Sequence, residues 1–289
     1  MADPARAVRE NVAGSLFVDA SCIDCDACRQ LAPGLFGEGA PTSFVRAQPR
    51  DVHELRAAQR AISACPVGAI GDREHRRNEA VHDFPLFIDG DPASRGVAYC
   101  GFNARSSYGA NSYLIVHPDG NWLVDAPRFV RPLVERLEAL GGVRFLFLTH
   151  RDDVADAALF AAHFGARRII HAGDRSSCPD AEIILEGEAE ISFIPGFTII
   201  PTPGHTRGHS VLLHDEYLFS GDHLAYDTRT RRLVARREVC WYSWPRQLAS
   251  LEKLTGYEFT WVLPGHGRRV HQPAATMHAQ LRAFLQRAA

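Results

Sequence analysis

The stretch "FLFLTHRDDVADAALF", residues 145–160, decides how this sequence is interpreted. Its apolar run is typical of a buried strand and ends at His150, where the strand would present a side chain that can bind a metal. The next residues include Asp152 and Asp153, but no further histidine until His163. The stretch therefore predicts either a metal site that uses a carboxylate, or a turn in which Asp152 or Asp153 caps the following helix.

The composition is that of an ordinary globular protein. The chain has 289 residues, of which 46% are hydrophobic and 23% charged, so one large domain or two smaller ones are expected. A formal net charge of −2 gives no reason to expect nucleic acid or a membrane surface as a partner. No apolar run approaches the ~18–20 residues that span a bilayer, and the N-terminus lacks the apolar segment of a secretory signal. We therefore expect a cytoplasmic location.

Four of the seven cysteines are arranged as cluster ligands. Cys22, Cys25 and Cys28 are spaced i, i+3 and i+6, and Cys65 is followed by proline. A 4Fe–4S cluster needs four thiolates, of which three can come from one loop and the fourth from elsewhere in the chain. A zinc site or reduced structural thiols are the alternatives, although four-cysteine zinc sites usually combine two separate Cys-x2-Cys pairs.

The pattern along the chain divides it into two domains. Residues 1–72 contain the cysteines and a helix-like stretch that carries Cys65 back towards the other three. Residues 73–85 are charged and poor in apolar side chains, and we expect them to be a linker. Residues 86–289 alternate short β-rich runs with amphipathic helices, which predicts a layered domain of strands and helices, so the fold class is α+β.

Four apolar runs in the second domain stop at a residue that can bind a metal. These residues are His150, His205, Asp222 and His266. A site is commonly built from side chains on loops at the ends of rigid strands, and four such positions are a much stronger signal than one.

Two families share these motifs. "CIDCDACRQLAPGLF" and "AISACPVGAI" resemble single-cluster bacterial ferredoxins, which implies one 4Fe–4S cluster. "NSYLIVHPDGNWLVDAP", "PGHTRGHS", "FSGDHL" and "LPGHG" resemble the metallo-β-lactamase fold family over about residues 96 to 289. That resemblance implies an αββα sandwich with His205, Asp222 and His266 as metal ligands.

The sequence departs from the family's loop Thr-His-x-His-x-Asp-His. Aligned on His150, the second histidine position holds Asp152, and the last two ligand positions hold Val154 and Ala155, which cannot bind a metal. A register shifted by two residues retains Asp156 but separates the motif from its strand. In the preferred register, one ion is held by His150, Asp152, His205 and Asp222 with His266 nearby, and Asp222 and His266 handle protons.

Three functions follow from this arrangement. In the first hypothesis, the chain is an iron-dependent oxidoreductase that acts on a small molecule, and its cluster passes electrons between a partner protein and the metal site. In the second, one iron or zinc ion hydrolyses a thioester or lactone and the cluster is structural or a sensor. In the third, the chain is a non-enzymatic electron carrier with a decayed metal domain. The aromatic segment "VCWYSWPRQ", residues 239–247, is expected to form either a pocket wall or a core or oligomer contact.

Overall fold

The computed structural model describes residues 2–91 and 95–288. The chain divides into two compact units, one of residues 1–144 with 155–165, the other of residues 145–154 with 166–289. The domain boundaries expected from the sequence, at residues 72 and 86, stay a prediction. Within the described residues, no helix is both long and apolar enough to cross a membrane.

The secondary structure is dominated by short strands. The α-helices in the described residues are α1 Ala27–Leu31, α2 Val52–Ala64, α3 Arg131–Ala139, α4 Ala157–Phe164, α5 Trp244–Leu254 and α6 Ala274–Ala288. The strands are β1 Leu16–Val18, β2 Phe36–Glu38, β3 Ser43–Val45, β4 Ile70–Asp72, β5 Leu86–Asp91, β6 Arg95–Tyr99, β7 Tyr113–Val116, β8 Trp122–Val124, β9 Phe145–Phe147, β10 Arg167–His171, β11 Ile183–Leu185, β12 Ile191–Ile194, β13 Phe197–Pro201, β14 Ser210–His214, β15 Tyr217–Gly221, β16 Ala225–Asp227, β17 Arg232–Val234, β18 Trp261–Pro264 and β19 Val270–His271. Short 3-10 turns are Pro4–Arg6, Glu79–His82, Arg151–Asp153, Ala172–Ser177 and Arg237–Val239.

The cysteine-rich part of the first unit is built around helix α2. The carboxylate of Asp51 accepts hydrogen bonds from the His53 and Glu54 amides, which satisfies free donors at the start of the helix. Strands β1 and β4 pair antiparallel, as do β2 and β3. Their apolar side chains form one buried cluster that includes Cys28 and Cys65.

The segment expected to be a linker packs closely against α2. Arg56 and Arg60 both form ion pairs with Asp83, and the Asn78 side chain donates a hydrogen bond of 3.0 Å to the Gln59 carbonyl. These side-chain contacts fix the segment against α2. Its charged composition did not predict them.

The rest of the first unit is an antiparallel meander with two helices. Strands β5, β6, β7 and β8 pair in sequence order, and α3 and α4 follow. Helix α4 begins later than its sequence pattern suggests because Ala155 has a φ of +36°, which interrupts the helix. Its N-cap is Asp156, so the expectation that Asp152 or Asp153 caps this helix was wrong. Asp156 instead accepts a hydrogen bond of 2.7 Å from the Phe129 amide.

The second unit contains two β-layers and the helices α5 and α6. Strands β9, β10 and β11 pair parallel. The other sheet has the order β12-β13-β14-β15-β18-β19, in which β15 and β18 are parallel. Parallel neighbours end at the same edge, so the loops after Gly221 and Pro264, which carry Asp222 and His266, begin side by side. Apolar side chains from this sheet and from α5 and α6 form its core.

Candidate metal centres

The four predicted cluster cysteines line one cavity in the first unit. Asp24 and Asp26, which separate the loop cysteines, both have positive φ angles of 57° and 66°. These left-handed residues coil the loop tightly enough to turn successive sulfurs inward. Cys65 reaches the same cavity from the end of α2, as its position after the helix predicts.

The surroundings of the sulfurs fit an iron–sulfur cluster. The amides of Asp24 and Ala69 donate hydrogen bonds of 3.4 and 3.3 Å to the sulfurs of Cys22 and Cys65. Such donors stabilise the negative charge that cluster thiolates carry. Burial raises the pKa of the Cys25 thiol to about 12, so this side chain stays protonated unless metal binding takes the proton.

A network that the sequence did not predict surrounds one cluster ligand. Ser43 lines the cavity, and although burial raises the pKa of the Cys28 thiol to about 12, hydrogen bonding by the Ser43 hydroxyl works in the opposite direction. The Arg29 guanidinium donates to the Ser43 hydroxyl at 2.5 Å and to Asp24 and Asp26 at 2.5 and 2.7 Å. Although burial works against its charge, these two carboxylates raise the pKa of Arg29 above its ordinary value.

A loop between β6 and β7 approaches the cluster cavity from outside the cysteine-rich region. A Cβ atom on Gly109, whose φ is +85°, would lie 2.6 Å from the Cβ of Cys25. The buried Asn103 amide fixes the loop by donating a hydrogen bond of 2.7 Å to the Gly109 carbonyl. Arg128 donates to the Asn103 carbonyl at 3.0 Å and to the Cys65 carbonyl at 3.4 Å. Only a residue without a side chain fits at this contact.

The second unit brings two buried imidazoles together. His150 and His205 are 0% and 1% exposed, and their ring centroids are 4.8 Å apart. The Nε2 atom of each ring has no hydrogen-bond partner, and leaving such a buried nitrogen unsatisfied costs roughly 1–3 kcal/mol. Burial lowers the pKa of His150 to about 3, so its ring is neutral and Nε2 can serve as a metal ligand.

Two carboxylates complete this group. One oxygen of Asp222 lies 3.8 Å from His150 Nε2 and 3.5 Å from His205 Nε2, and an Asp152 oxygen lies 3.8 and 3.9 Å from the same atoms. Burial would raise the pKa of Asp222, but the charge and hydrogen bond of His266 and the charge of His150 hold it well below its ordinary value. His150, His205 and Asp222 therefore converge at a spacing that one divalent ion can bridge, and Asp152 lies beside the two imidazoles of this group.

His266 lies on the other side of Asp222. Its Nδ1 atom is 2.8 and 3.0 Å from the two Asp222 oxygens. Asp153, which is fully buried, joins these two residues in a second group whose ligand atoms lie within 4.8 Å of one another. The sequence pattern missed Asp153 as a ligand, because it falls on a spacer position of the signature loop, between the places of the second histidine and the aspartate.

Asp174 positions two of the ligand loops. This buried carboxylate accepts hydrogen bonds from the Arg151 amide at 3.2 Å, from the Gly208 amide at 3.0 Å and from the Thr206 hydroxyl. Arg151 follows His150, and Thr206 follows His205. One side chain therefore fixes the backbone beside both histidines, a role that the sequence did not indicate.

The remaining histidines near the site have other contacts. His209 is buried, and its Nε2 atom accepts a hydrogen bond of 3.2 Å from the Asp222 amide while Nδ1 pairs with Thr202 at 2.9 Å. The ring of His223 stacks on that of His209, with centroids 4.0 Å apart. His171 accepts a hydrogen bond from the Gly173 amide at 3.0 Å, and His163 pairs with Glu138 on the first unit.

The aromatic segment, expected to form either a pocket wall or a core or oligomer contact, lies beside His205. The amides of Trp241 and Tyr242 donate hydrogen bonds of 2.9 and 3.0 Å to the His205 carbonyl. The Trp241 ring centroid is 6.5 Å from that of His205, and the Trp241 side chain is 61% exposed. The segment thus presents an aromatic surface at the open side of the group.

Comparisons with known proteins agree with both resemblances. The family model described as the 4Fe-4S single cluster domain of Ferredoxin I matches residues 18–72, and that of the metallo-beta-lactamase superfamily matches residues 95–277. The chain therefore joins a 4Fe–4S ferredoxin domain to a metallo-β-lactamase-fold domain, and the expected α+β fold class and the expectation of a cluster with a further metal ion are confirmed.

Relatives with an assigned activity match part of the chain. A hydroxyacylglutathione hydrolase from Acidiphilium cryptum is 30% identical over 186 residues, which are 58% of this chain and 72% of the relative. One from Xanthomonas campestris is 26% identical over 115 residues, or 39% of this chain and 45% of its own length. Among solved structures, the metallo-β-lactamase FIM-1 from Pseudomonas aeruginosa in its mono-zinc form aligns with a TM-score of 0.50 at 16% identity, covering 70% of this chain and 95% of its own. The last likeness concerns the fold alone.

Proposed function

Because this chain belongs to the metallo-β-lactamase superfamily, we propose that it is a metal-dependent hydrolase of thioesters that also carries an iron–sulfur cluster. One observation carries the proposal: the partnerless Nε2 atoms of buried His150 and His205 converge on the Asp222 carboxylate. The hydroxyacylglutathione hydrolases among the relatives support the same reaction class. Two imidazoles and a carboxylate are a common ligand set of catalytic zinc sites.

The reaction consumes one water molecule. The carbon–sulfur bond of the thioester breaks, the water oxygen joins the acyl carbon, and a carboxylate, a thiol and one proton are released. A divalent ion held at this site would act as a Lewis acid, polarising the carbonyl and making water a better nucleophile near neutral pH. No electrons are transferred, so the cluster takes no part in the chemical step of this proposal.

The residues of the site have separate tasks in this proposal. His150, His205, Asp152 and Asp222 would hold the ion. His266 holds the Asp222 carboxylate in place through its Nδ1 atom, 2.8 Å from the nearer oxygen, and helps to keep it ionised. The Asp152 side chain is 45% exposed, so the group opens to solvent on that side and substrate approaches there.

The test measures metal content and thioester hydrolysis in anaerobically purified protein. We expect about four iron atoms per chain from the cluster, roughly one additional zinc or iron ion, and hydrolysis of hydroxyacylglutathione. His205→Ala and Asp222→Ala should lose the additional ion and the activity while they keep the cluster. His271→Gln is the matched control, because this histidine is exposed on β19 and stacks on Trp261. Unchanged hydrolysis in both ligand variants would refute the proposal.

An oxidoreductase is the second candidate, because two imidazoles with carboxylates also suit mononuclear non-haem iron. The ferredoxin domain in the same chain supports it. On this hypothesis the additional ion is iron and the iron-loaded protein does not hydrolyse thioesters. When this ion is loaded as ferric iron, it would accept the electron of a chemically reduced cluster, so the cluster is reoxidised faster in the wild type than in His205→Ala. A zinc-loaded protein that hydrolyses thioesters at the same rate with oxidised and reduced cluster excludes this candidate. If metal analysis finds the cluster iron and no other metal, the remaining candidate function is that of an electron carrier.

A further inference from the structure

The largest concentration of exposed apolar side chains in the described residues lies next to His205. Of the seven large hydrophobic residues that are exposed, Val239, Trp241 and Tyr242 fall within four consecutive positions. Exposing two aromatic rings together loses the free energy that their burial would provide, about 1.5–3 kcal/mol for a large apolar side chain. Neighbouring apolar groups of this kind usually mark a binding surface.

The segment is held rigidly against the ligand loop. Besides the two hydrogen bonds to the His205 carbonyl, the Ser243 amide donates to the Gly204 carbonyl at 2.9 Å and the Cys240 thiol donates to it at 3.2 Å. Gly204 also packs so closely that a Cβ atom would lie 2.3 Å from the Gln247 Cα. The aromatic rings therefore keep a fixed position relative to His205.

Cationic side chains accompany the aromatic rings. The Arg207 guanidinium lies 5.3 Å from the Tyr242 ring centroid, within the range of a cation–π contact. Arg236 and Arg237, just before the segment, are exposed. An apolar surface edged by positive charge suits a substrate with an apolar body, and the positive charge also attracts the carboxylate that hydrolysis produces.

We infer that Trp241 and Tyr242 form the acyl subsite of this enzyme and select thioesters whose acyl group is aromatic. The inference rests on the proposed hydrolase function. The Trp241 ring lies 6.5 Å from the ring of His205. At this distance, a phenyl ring one or two bonds from a carbonyl at the metal group would come within reach of the indole, and aromatic rings attract one another. A small acyl group, such as acetyl, is too short to reach the indole.

The test compares two thioesters of one thiol, S-phenylacetyl- and S-acetyl-N-acetylcysteamine. We expect the wild type to prefer the phenylacetyl ester in kcat/KM, and Trp241→Ala to lose roughly tenfold on that ester with less than a twofold change on the acetyl ester. Trp241→Phe keeps an aromatic face and should restore most of the preference. Leu159→Ala, which removes an equally exposed apolar side chain from α4, is the matched control.

Binding of phenylacetate, measured by saturation-transfer NMR, separates failure of the inference from failure of the proposed function. The inference predicts binding that is weakened in Trp241→Ala and unchanged in Leu159→Ala. If the wild type hydrolyses both thioesters and Trp241→Ala still prefers the phenylacetyl ester, the proposed subsite is refuted, but the proposed hydrolase activity is not. If the wild type hydrolyses neither these two thioesters nor hydroxyacylglutathione but binds phenylacetate through Trp241, the proposed hydrolase activity is refuted and the aromatic binding site is not. Equal binding of phenylacetate by wild type and Trp241→Ala overturns the subsite.

Discussion

Replacing Ser43 with alanine should lower the reduction potential of the cluster. The hydroxyl of Ser43 has one proton, and Arg29 can only donate to its oxygen. The proton is therefore left for the Cys28 sulfur or for an Asp24 oxygen at 3.5 Å. A hydrogen bond to a cluster sulfur stabilises the reduced, more negative state more than the oxidised one. Its loss consequently makes reduction less favourable.

The size of the effect follows from the charge on the sulfur. A hydrogen bond to a charged group contributes ~1.5–3 kcal/mol, and the electron added on reduction is shared among four cysteine ligands. If about a quarter of that interaction distinguishes the two states, the difference is ~0.4–0.8 kcal/mol, or about 15–35 mV for a one-electron couple. Potentiometric titration followed by EPR of the reduced cluster measures this shift directly.

The control is Ser63→Ala, since Ser63 is also a buried serine of this domain but donates its hydrogen bond to the Gln59 carbonyl at 3.2 Å. Iron content and the visible spectrum of each variant establish that the cluster is intact. A potential in Ser43→Ala equal to that of the wild type, or higher, would contradict the reasoning. A shift of the same size in Ser63→Ala would show that general loosening of the domain is responsible.

Three further predictions concern positioning, packing and pH. Asp174→Asn should weaken binding of the non-cluster metal about 10–100-fold, measured by competition with a chelator, while cluster iron stays constant. Gly109→Ala should reduce the cluster content, since its Cβ would lie 2.6 Å from that of Cys25, whereas Gly187→Ala, in open space at a similar φ, should not. Hydrogen bonds from Arg168 lower the pKa of Glu182 to about 2, so this pair stabilises the fold above the ordinary carboxyl pKa and loses its effect as the pH falls towards 2. Glu182→Gln should thus reduce the unfolding temperature at pH 7 and have a smaller effect below pH ~4.5.

Much of the fold could be predicted from local patterns. The apolar runs that end at His150, His205, Asp222 and His266 are strands β9, β13, β15 and β18 or their immediate extensions, because a buried strand followed by a turn leaves a recognisable local signature. The cysteine spacing is local in the same way, apart from Cys65, whose return depends on the helix before it. These features needed no knowledge of distant contacts.

The features that the sequence did not predict depend on contacts between distant segments. Asp174 meets Thr206 and Gly208 across more than thirty positions of sequence separation. Gly109 and Cys25 meet only after the meander has formed. A buried carboxylate and a glycine each have several common roles, so residue type alone could not indicate these. Burial and hydrogen-bond partners in the folded chain distinguish them.

The loop that begins with His150 owes its unusual composition to a tight turn. Residues Arg151–Asp153 form a 3-10 turn, and it directs Asp152 towards the Nε2 atoms of His150 and His205 and Asp153 towards His266. Asp222 lies between both groups, so three carboxylates gather around imidazoles such as His150 that burial keeps neutral. Asp153 and Asp222 have side chains only 1% and 12% exposed, and negative charge at such positions is costly unless a cation compensates it. Exchanging histidines for aspartates in this loop therefore increases the need for a divalent ion, and it favours the harder, oxygen-preferring metals.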